Sequence, residues 1–199
     1  MLFRSPVGRE RARSAINMDG APLILWVGRL TTNKDPLTVL DGLERSLPTI
    51  PAARVAMVFG DDTLIDGVDA RVRGSDVLRD RVVLAGRVDH DEMPNYYAAA
   101  DVFVSGSHSE GSGDALIEAM SAGLAPVVTD IPPFRAIAGD MHLRWTPGDA
   151  DDFARALLET CAADLGALKA AAKARFDRHL SWDALGARTV AEYRTLIAS

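Results

Sequence analysis

The sequence has almost no cysteine, no long apolar run and no massed positive charge, and each lack removes a class of function. A single cysteine, Cys161, cannot close a disulfide within the chain. It reads as a small apolar residue of a protein in a reducing compartment, not as a nucleophile. No apolar stretch reaches the roughly 20 residues of a membrane-spanning helix. The opening MLFRSPVGRERARS is basic and lacks the apolar segment of a secretion signal, so a cytoplasmic protein is expected. The net charge is −6 with Lys and Arg scattered, which argues against a nucleic-acid partner; a polyanionic ligand would have to be met by a few placed cations. Repeats, low-complexity tracts and Pro/Gly linkers are absent too, and 199 residues, 48% of them hydrophobic, suit one soluble domain with a full core.

What is present is a recurring strand-length apolar run: PLILWV (22–27), RVAMVFG (54–60), RVVLAG (81–86), DVFVSG (101–106), APVVTD (125–130) and HLRW (142–145). Most are unbroken Val, Ile, Leu and Phe instead of alternating, as in strands covered on both faces, and the segments between them are long enough for crossover helices. The pattern predicts an α/β protein with a Rossmann-like, doubly wound parallel sheet of six strands and helices on both faces. Helices are expected over 36–47, 66–79, 92–99, 113–122 and 132–138, the first capped by Asp35 ahead of Pro36, and the chain turns helical after Gly148. Residues 1–20 read as a connection and 21–199 as the domain.

Ligands of such sheets lie beyond the carboxyl ends of the strands. There, VGRLTTNKDP supplies Gly28, where a ligand can approach the backbone, and two cations, Arg29 and Lys34, suited to a diphosphate. HSEGSGDALIEAMSAGLAPVV (108–128) supplies a small-residue turn into a helix that Ser112 or Asp114 can cap, with first-turn amides left bare by Gly111 and Gly113 as a phosphate seat. Glu118, one turn in, suits two ribose hydroxyls, and Glu110 faces whatever hangs beyond the phosphates. A dinucleotide fingerprint is excluded, although Asp130 follows at the next strand end: Leu116 stands at the third glycine position and the glycines come several residues after the strand. Paired carboxylates for glycoside hydrolysis rank low, because these two belong to a phosphate-type turn. His108 reads as a solvent-exposed loop histidine and His179 as a surface residue. Trp26 and Trp145 read as core, Trp182 as an anchor for the terminal helix, and Leu185, Tyr193, Leu196 and Ile197 as an apolar stripe along that helix.

These residues together resemble the C-terminal, donor-binding half of a family-4 retaining glycosyltransferase of the GT-B architecture. WVGRLTTNKDPLTVLDGL resembles the family's Gly-Arg-Leu followed by Lys. VVLAGRVDHDEMPNYYAAADVFVSGS resembles its Gly-x-Val, Leu-x-x-Tyr and Ala-Asp-Val block, and EGSGDALIEAMSAGLAPVVT its spaced glutamates. LSWDALGARTVAEYRTLI resembles the terminal Ser-Trp helix. Coverage runs from about residue 21 to 197.

The resemblance implies a hexosyltransferase whose substrate is a nucleotide-diphosphate sugar, with no cofactor and no metal. Arg29 and Lys34 would bind the diphosphate, Glu118 the ribose and Glu110 the transferred sugar as the catalytic position. The backbone of Gly28 and of Gly111, Ser112, Gly113, Asp114 and Ala115 would complete the donor site, with the base near Arg87 and Val88. Two departures concern the sugar pocket: Ser112 stands where a bulky residue is usual, and Asp114 is an unusual successor. The acceptor-binding half and its histidine have no counterpart here, and His90, His108, His142 and His179 do not replace them. By themselves these residues are expected to bind donor without efficient turnover. The alternative is a non-catalytic nucleotide or sugar-phosphate binding module. The basic start, Arg4, Arg9, Arg11 and Arg13, fits a solvated connection better than peripheral attachment to a membrane.

Overall fold

Along β1 (Leu23–Gly28), Ile24 and Trp26 bury into one apolar layer and Leu23 and Leu25 into another, so both sides of the strand are covered and the run carries no polar alternation. The same holds for β2 (Arg54–Phe59), β4 (Val102–Ser105) and β5 (Ala125–Thr129). In the computed structural model, which describes residues 8–141 and 144–198, these strands join β3 (Val82–Gly86) and β6 (Arg144–Trp145) in one six-stranded sheet. Every pairing is parallel and the order is β3-β2-β1-β4-β5-β6. The doubly wound expectation holds. The first half of the expected last strand, with His142, lies outside the described residues, as do Arg4 and the rest of residues 1–7.

One face is covered by α2 (Pro36–Ser46), α3 (Ile65–Arg73), α4 (Asp76–Arg79) and α8 (Ala150–Ala162). In α2, Val39, Leu40, Leu43 and then Leu47 are fully buried, a helical stripe that packs on the sheet. Gly42 is needed there, since a Cβ would sit 2.3 Å from the Phe153 ring on α8. The other face is covered by α1 (Arg9–Ala15), α5 (Met93–Ala99), α6 (Asp114–Ser121), α7 (Pro132–Ala138) and α9 (Leu165–Arg175). A π-helical turn, Phe176–Leu180, leads into α10 (Trp182–Ala198).

Two expectations, the helix over 66–79 and the anchoring role of Trp182, need correction. The helix read over 66–79 is two helices: α3 ends at Gly74, Ser75 turns extended, and its hydroxyl accepts from the Leu78 amide to start α4. Residues 9–15, within the connection 1–20, are helical (α1), with Ala12 buried. Trp182 does not anchor α10: it is 73% exposed, and Tyr193 and Ile197 are exposed with it. Trp26 and Trp145 are buried as expected. Among the described residues no helix is long and apolar enough to cross a membrane.

The strand order reverses direction between β1 and β4, so the loops leaving these adjacent strands diverge to opposite faces and open a crevice at their carboxyl ends.

Candidate functional site

The two loops at this crevice are sewn together. Asn33, after β1, accepts at its carbonyl from the His108 amide (2.8 Å), accepts at Oδ1 from the Ser109 amide (3.1 Å) and hydroxyl (2.8 Å), and donates from Nδ2 to the Ser109 carbonyl (3.0 Å). Asp35, at φ +43°, caps α2 by accepting from the Thr38 amide with Oδ1, and its Oδ2 lies 2.9 Å from His108 Nε2. His108 is exposed, as expected of a loop histidine, and is also half of a loop-to-loop pair. Gly106 lets the backbones meet, because a Cβ there would lie 3.0 to 3.1 Å from the Asp35 and Lys34 carbonyl oxygens.

That stitching brings Lys34 against Glu110. The ammonium forms an ion pair with Glu110 Oε1, and the buried Ser107 hydroxyl donates to the same oxygen at 2.7 Å, with Ser105 Oγ 3.2 Å from Ser107. The two charged side chains are only 18% and 13% exposed, so their attraction is less screened than at an open surface. Beside them is a hollow of about 140 Å³ lined by Lys34, Ser105, Glu110, Ser112, Gly113, Asp114 and Ala115, over an apolar floor of Val27, Phe103, Leu116 and Phe134.

The start of α6 forms one wall. Its N-cap is Gly113, at φ +68°, and no side chain caps it, which corrects the expectation that Ser112 or Asp114 would. The amides of Gly113, Asp114 and Ala115 donate to no acceptor among the described residues, so the positive end of the helix faces the hollow with donors to spare. Gly113 is required there for two reasons: its φ disfavours any side chain, and a Cβ would fall 2.5 Å from Ile137 Cδ1.

The remaining site residues read from the sequence stand at the same edge of the sheet without lining the hollow. Glu118, one turn into α6, accepts from the Tyr97 hydroxyl at 2.8 Å. Gly111 is exposed next to Glu110. Gly28 lies under the Trp26 ring, where a Cβ would meet the indole at 3.0 Å. Arg29 is exposed; Asp61, beside it in the loop after β2, is held below the usual carboxylate range by the Thr63 hydroxyl and amide first, and by the Arg29 charge as a lesser cause. Arg87 donates to the Gly60 carbonyl, and the half-buried Val88 packs against the core. Sequence reasoning missed Asn33, Ser105, Ser107 and Tyr97. Ser105 and Ser107 had a local signal, two hydroxyls two residues apart at a strand end; Asn33 and Tyr97 take their importance from partners 76 and 21 residues away. Burial pushes the Cys161 thiol up to about 11, in keeping with an inert side chain.

The profile of a family described as glycosyl transferases group 1 matches residues 21–163 of this chain. The chain is 32% identical over 157 residues to mannosylfructose-phosphate synthase of Agrobacterium fabrum, covering 74% of this chain and 34% of that protein. It is 31% identical over 185 residues to GDP-mannose:cellobiosyl-diphosphopolyprenol alpha-mannosyltransferase of Xanthomonas campestris, covering 88% of this chain and 47% of that one. It thus spans between a third and a half of these relatives. The crystal structure of Anabaena HepE in complex with UDP and glucose shares the fold, with a TM-score of 0.78 at 18% identity over 96% of this chain and 53% of the other.

Proposed function

The chain belongs to the glycosyl transferases group 1 family, and on that premise we propose that it is the donor-binding half of a retaining, family-4 glycosyltransferase, seating a nucleotide-diphosphate sugar at the β1/β4 crevice. The observation that carries this reading is the hollow in which the Lys34–Glu110 pair meets the free amides of α6. A diphosphate entering there would take Lys34 and the amides as donors, an arrangement that concentrates positive potential within a protein of net charge −6. Arg29, exposed on the neighbouring loop, would meet the other end of the diphosphate. Glu110, freed from Lys34, would turn to the sugar, and Glu118 to the ribose. The base would rest near Arg87 and Val88.

In transfer the charge that grows on the departing diphosphate is what the site must stabilise, and fixed amides and a half-desolvated ammonium do so without reorganising. The reading invokes no metal. It requires an acceptor-binding half, which closes the crevice and brings the nucleophile, so that residues 21–199 alone bind donor without efficient turnover. The names and contents of the relatives support the substrate class: one is named for GDP-mannose and one structure contains UDP and glucose. The single, half-buried Cys161 is in keeping with a cytoplasmic setting.

Calorimetric titration with UDP, GDP and their hexose conjugates tests this. Binding is expected for at least one, and Lys34→Ala should weaken it by about 1 to 3 kcal/mol, the scale of a lost charged hydrogen-bond partner. Silence toward all of them in folded protein would overturn the reading. Binding that persists without transfer once an acceptor half is supplied would favour the non-catalytic module.

A further inference from the structure

Tyr97 sits on α5 and is 1% exposed, its ring part of the apolar layer that includes Leu116 and Met120 of α6. A buried phenol needs an acceptor. This one finds the carboxylate of Glu118, donating to Oε2 at 2.8 Å, while Oε1 has no hydrogen-bond partner among the described residues. Glu118 itself is half-buried, one turn beyond the free amides of α6.

We infer that Tyr97 is a positioning residue for ribose recognition: its hydroxyl fixes the rotation of the Glu118 carboxylate, so that the uncommitted oxygen is presented to the ribose hydroxyls. The inference rests on the reading of Glu118 given above. An unanchored glutamate on a helix surface samples several rotamers, and fixing it beforehand removes an entropy cost that binding would otherwise carry. Burial, and then the negative charge of Glu118, hold the Tyr97 hydroxyl far above the ordinary phenol range, so it stays a proton donor wherever the protein is folded. A core tyrosine that merely uses the nearest acceptor would show the same hydrogen bond, so the test must read the ribose.

The experiment compares UDP and GDP with their 2′,3′-dideoxy counterparts on the unmutated chain, Tyr97→Phe and Glu118→Ala. Glu118→Ala should abolish the preference for the ribonucleotide. Tyr97→Phe should cut that preference by about three- to tenfold, the worth of one hydrogen bond, with dideoxynucleotide affinity unchanged. If Glu118→Ala loses the preference while Tyr97→Phe keeps it, or if Tyr97→Phe weakens both nucleotides alike, Tyr97 is structural and the inference falls. Should Glu118→Ala keep the preference, the assignment of Glu118 to ribose fails first and takes the inference with it. If Tyr97→Phe does not fold, a structure of the unmutated chain with UDP or GDP decides: Tyr97 still bonded to Glu118 beside the ribose supports the inference, and Tyr97 released from it overturns the inference.

Discussion

β4 is bracketed by two carboxylates, Asp101 just before its first residue and Glu110 beyond its last, and their surroundings differ in kind. Asp101 accepts at Oδ1 from Lys169 (3.0 Å) and Arg9, and at Oδ2 from Arg13 (3.1 Å) and the Leu23 amide (3.0 Å), with its side chain 6% exposed. Both oxygens are saturated, and the donors come from α1, β1 and α9. Glu110 receives Lys34 and Ser107 on one oxygen, while the other has no partner among the described residues and adjoins a hollow. The amino edge of the sheet thus uses its acid as a joint between elements. The carboxyl edge keeps an acid half committed, balanced by the single ammonium of Lys34.

The largest effect that would break this comparison is at the joint. Asp101→Asn leaves Arg9 and the mostly buried Lys169 without their counter-charge, and Arg13, mostly buried too, with only the exposed Asp19. Loss of one partner from such a cluster costs about 3 kcal/mol or more. Urea unfolding should show that loss, and limited proteolysis should find α1 newly cleaved at its arginines. A loss under about 1 kcal/mol, the value of an exposed pair, would mean the amino edge is no more committed than the other.

A smaller effect divides the carboxyl edge itself into framework and open positions. Gly113→Ala combines a left-handed φ with a Cβ that falls 2.5 Å from Ile137, whereas a Cβ on Gly111 meets nothing within 4 Å. The first substitution should destabilise by about 2 kcal/mol through strain and overpacking, and the second by less than about 0.5 kcal/mol, the usual surface value. Equal values would show that the turn into α6 is soft and not a preformed wall.

Much of this was legible in the sequence because the signals were local. The unbroken apolar runs encode a sheet covered on both faces, Asp35-Pro36 encodes a helix start, and the spaced glutamates with their glycines mark the turn into α6. What escaped depends on distant partners. α1 is a seven-residue, arginine-rich segment whose Arg9 and Arg13, one turn apart, look solvated until Asp101 is placed 92 and 88 residues away. The break at Gly74-Ser75 has a local signal in Gly-Ser-Asp, which the expectation of one helix over 66–79 passes over. Trp182 reads as an anchor for the terminal helix, yet it stands 73% exposed at the start of α10. At the site, residue types were readable whereas their commitment was not. Which oxygen of Glu110 or Glu118 is left over is a property of the assembled loops.

Glu110→Gln should cost less stability than Asp101→Asn, and it sharpens the comparison most. The amide keeps the size of the side chain and its contact with Ser107 but no longer holds Lys34 by charge. Because Glu110 is tied to one cation and one hydroxyl, and not to three cations and an amide, unfolding stability should fall by about 1 to 2 kcal/mol, less than for Asp101→Asn. Binding should respond in two opposite ways. Lys34, released from its internal competitor, should hold UDP or GDP more tightly, by about 0.5 to 1 kcal/mol, a few-fold in affinity. The additional affinity for the hexose conjugate over the bare diphosphate should disappear, because the acceptor facing the sugar has become a weaker, neutral one. Titration of both ligands against both proteins separates these two terms. A stability loss as large as that of Asp101→Asn would make Glu110 a second joint. Weaker binding of the bare diphosphate would instead mean that Glu110 helps to place Lys34 and does not compete with the phosphate for it.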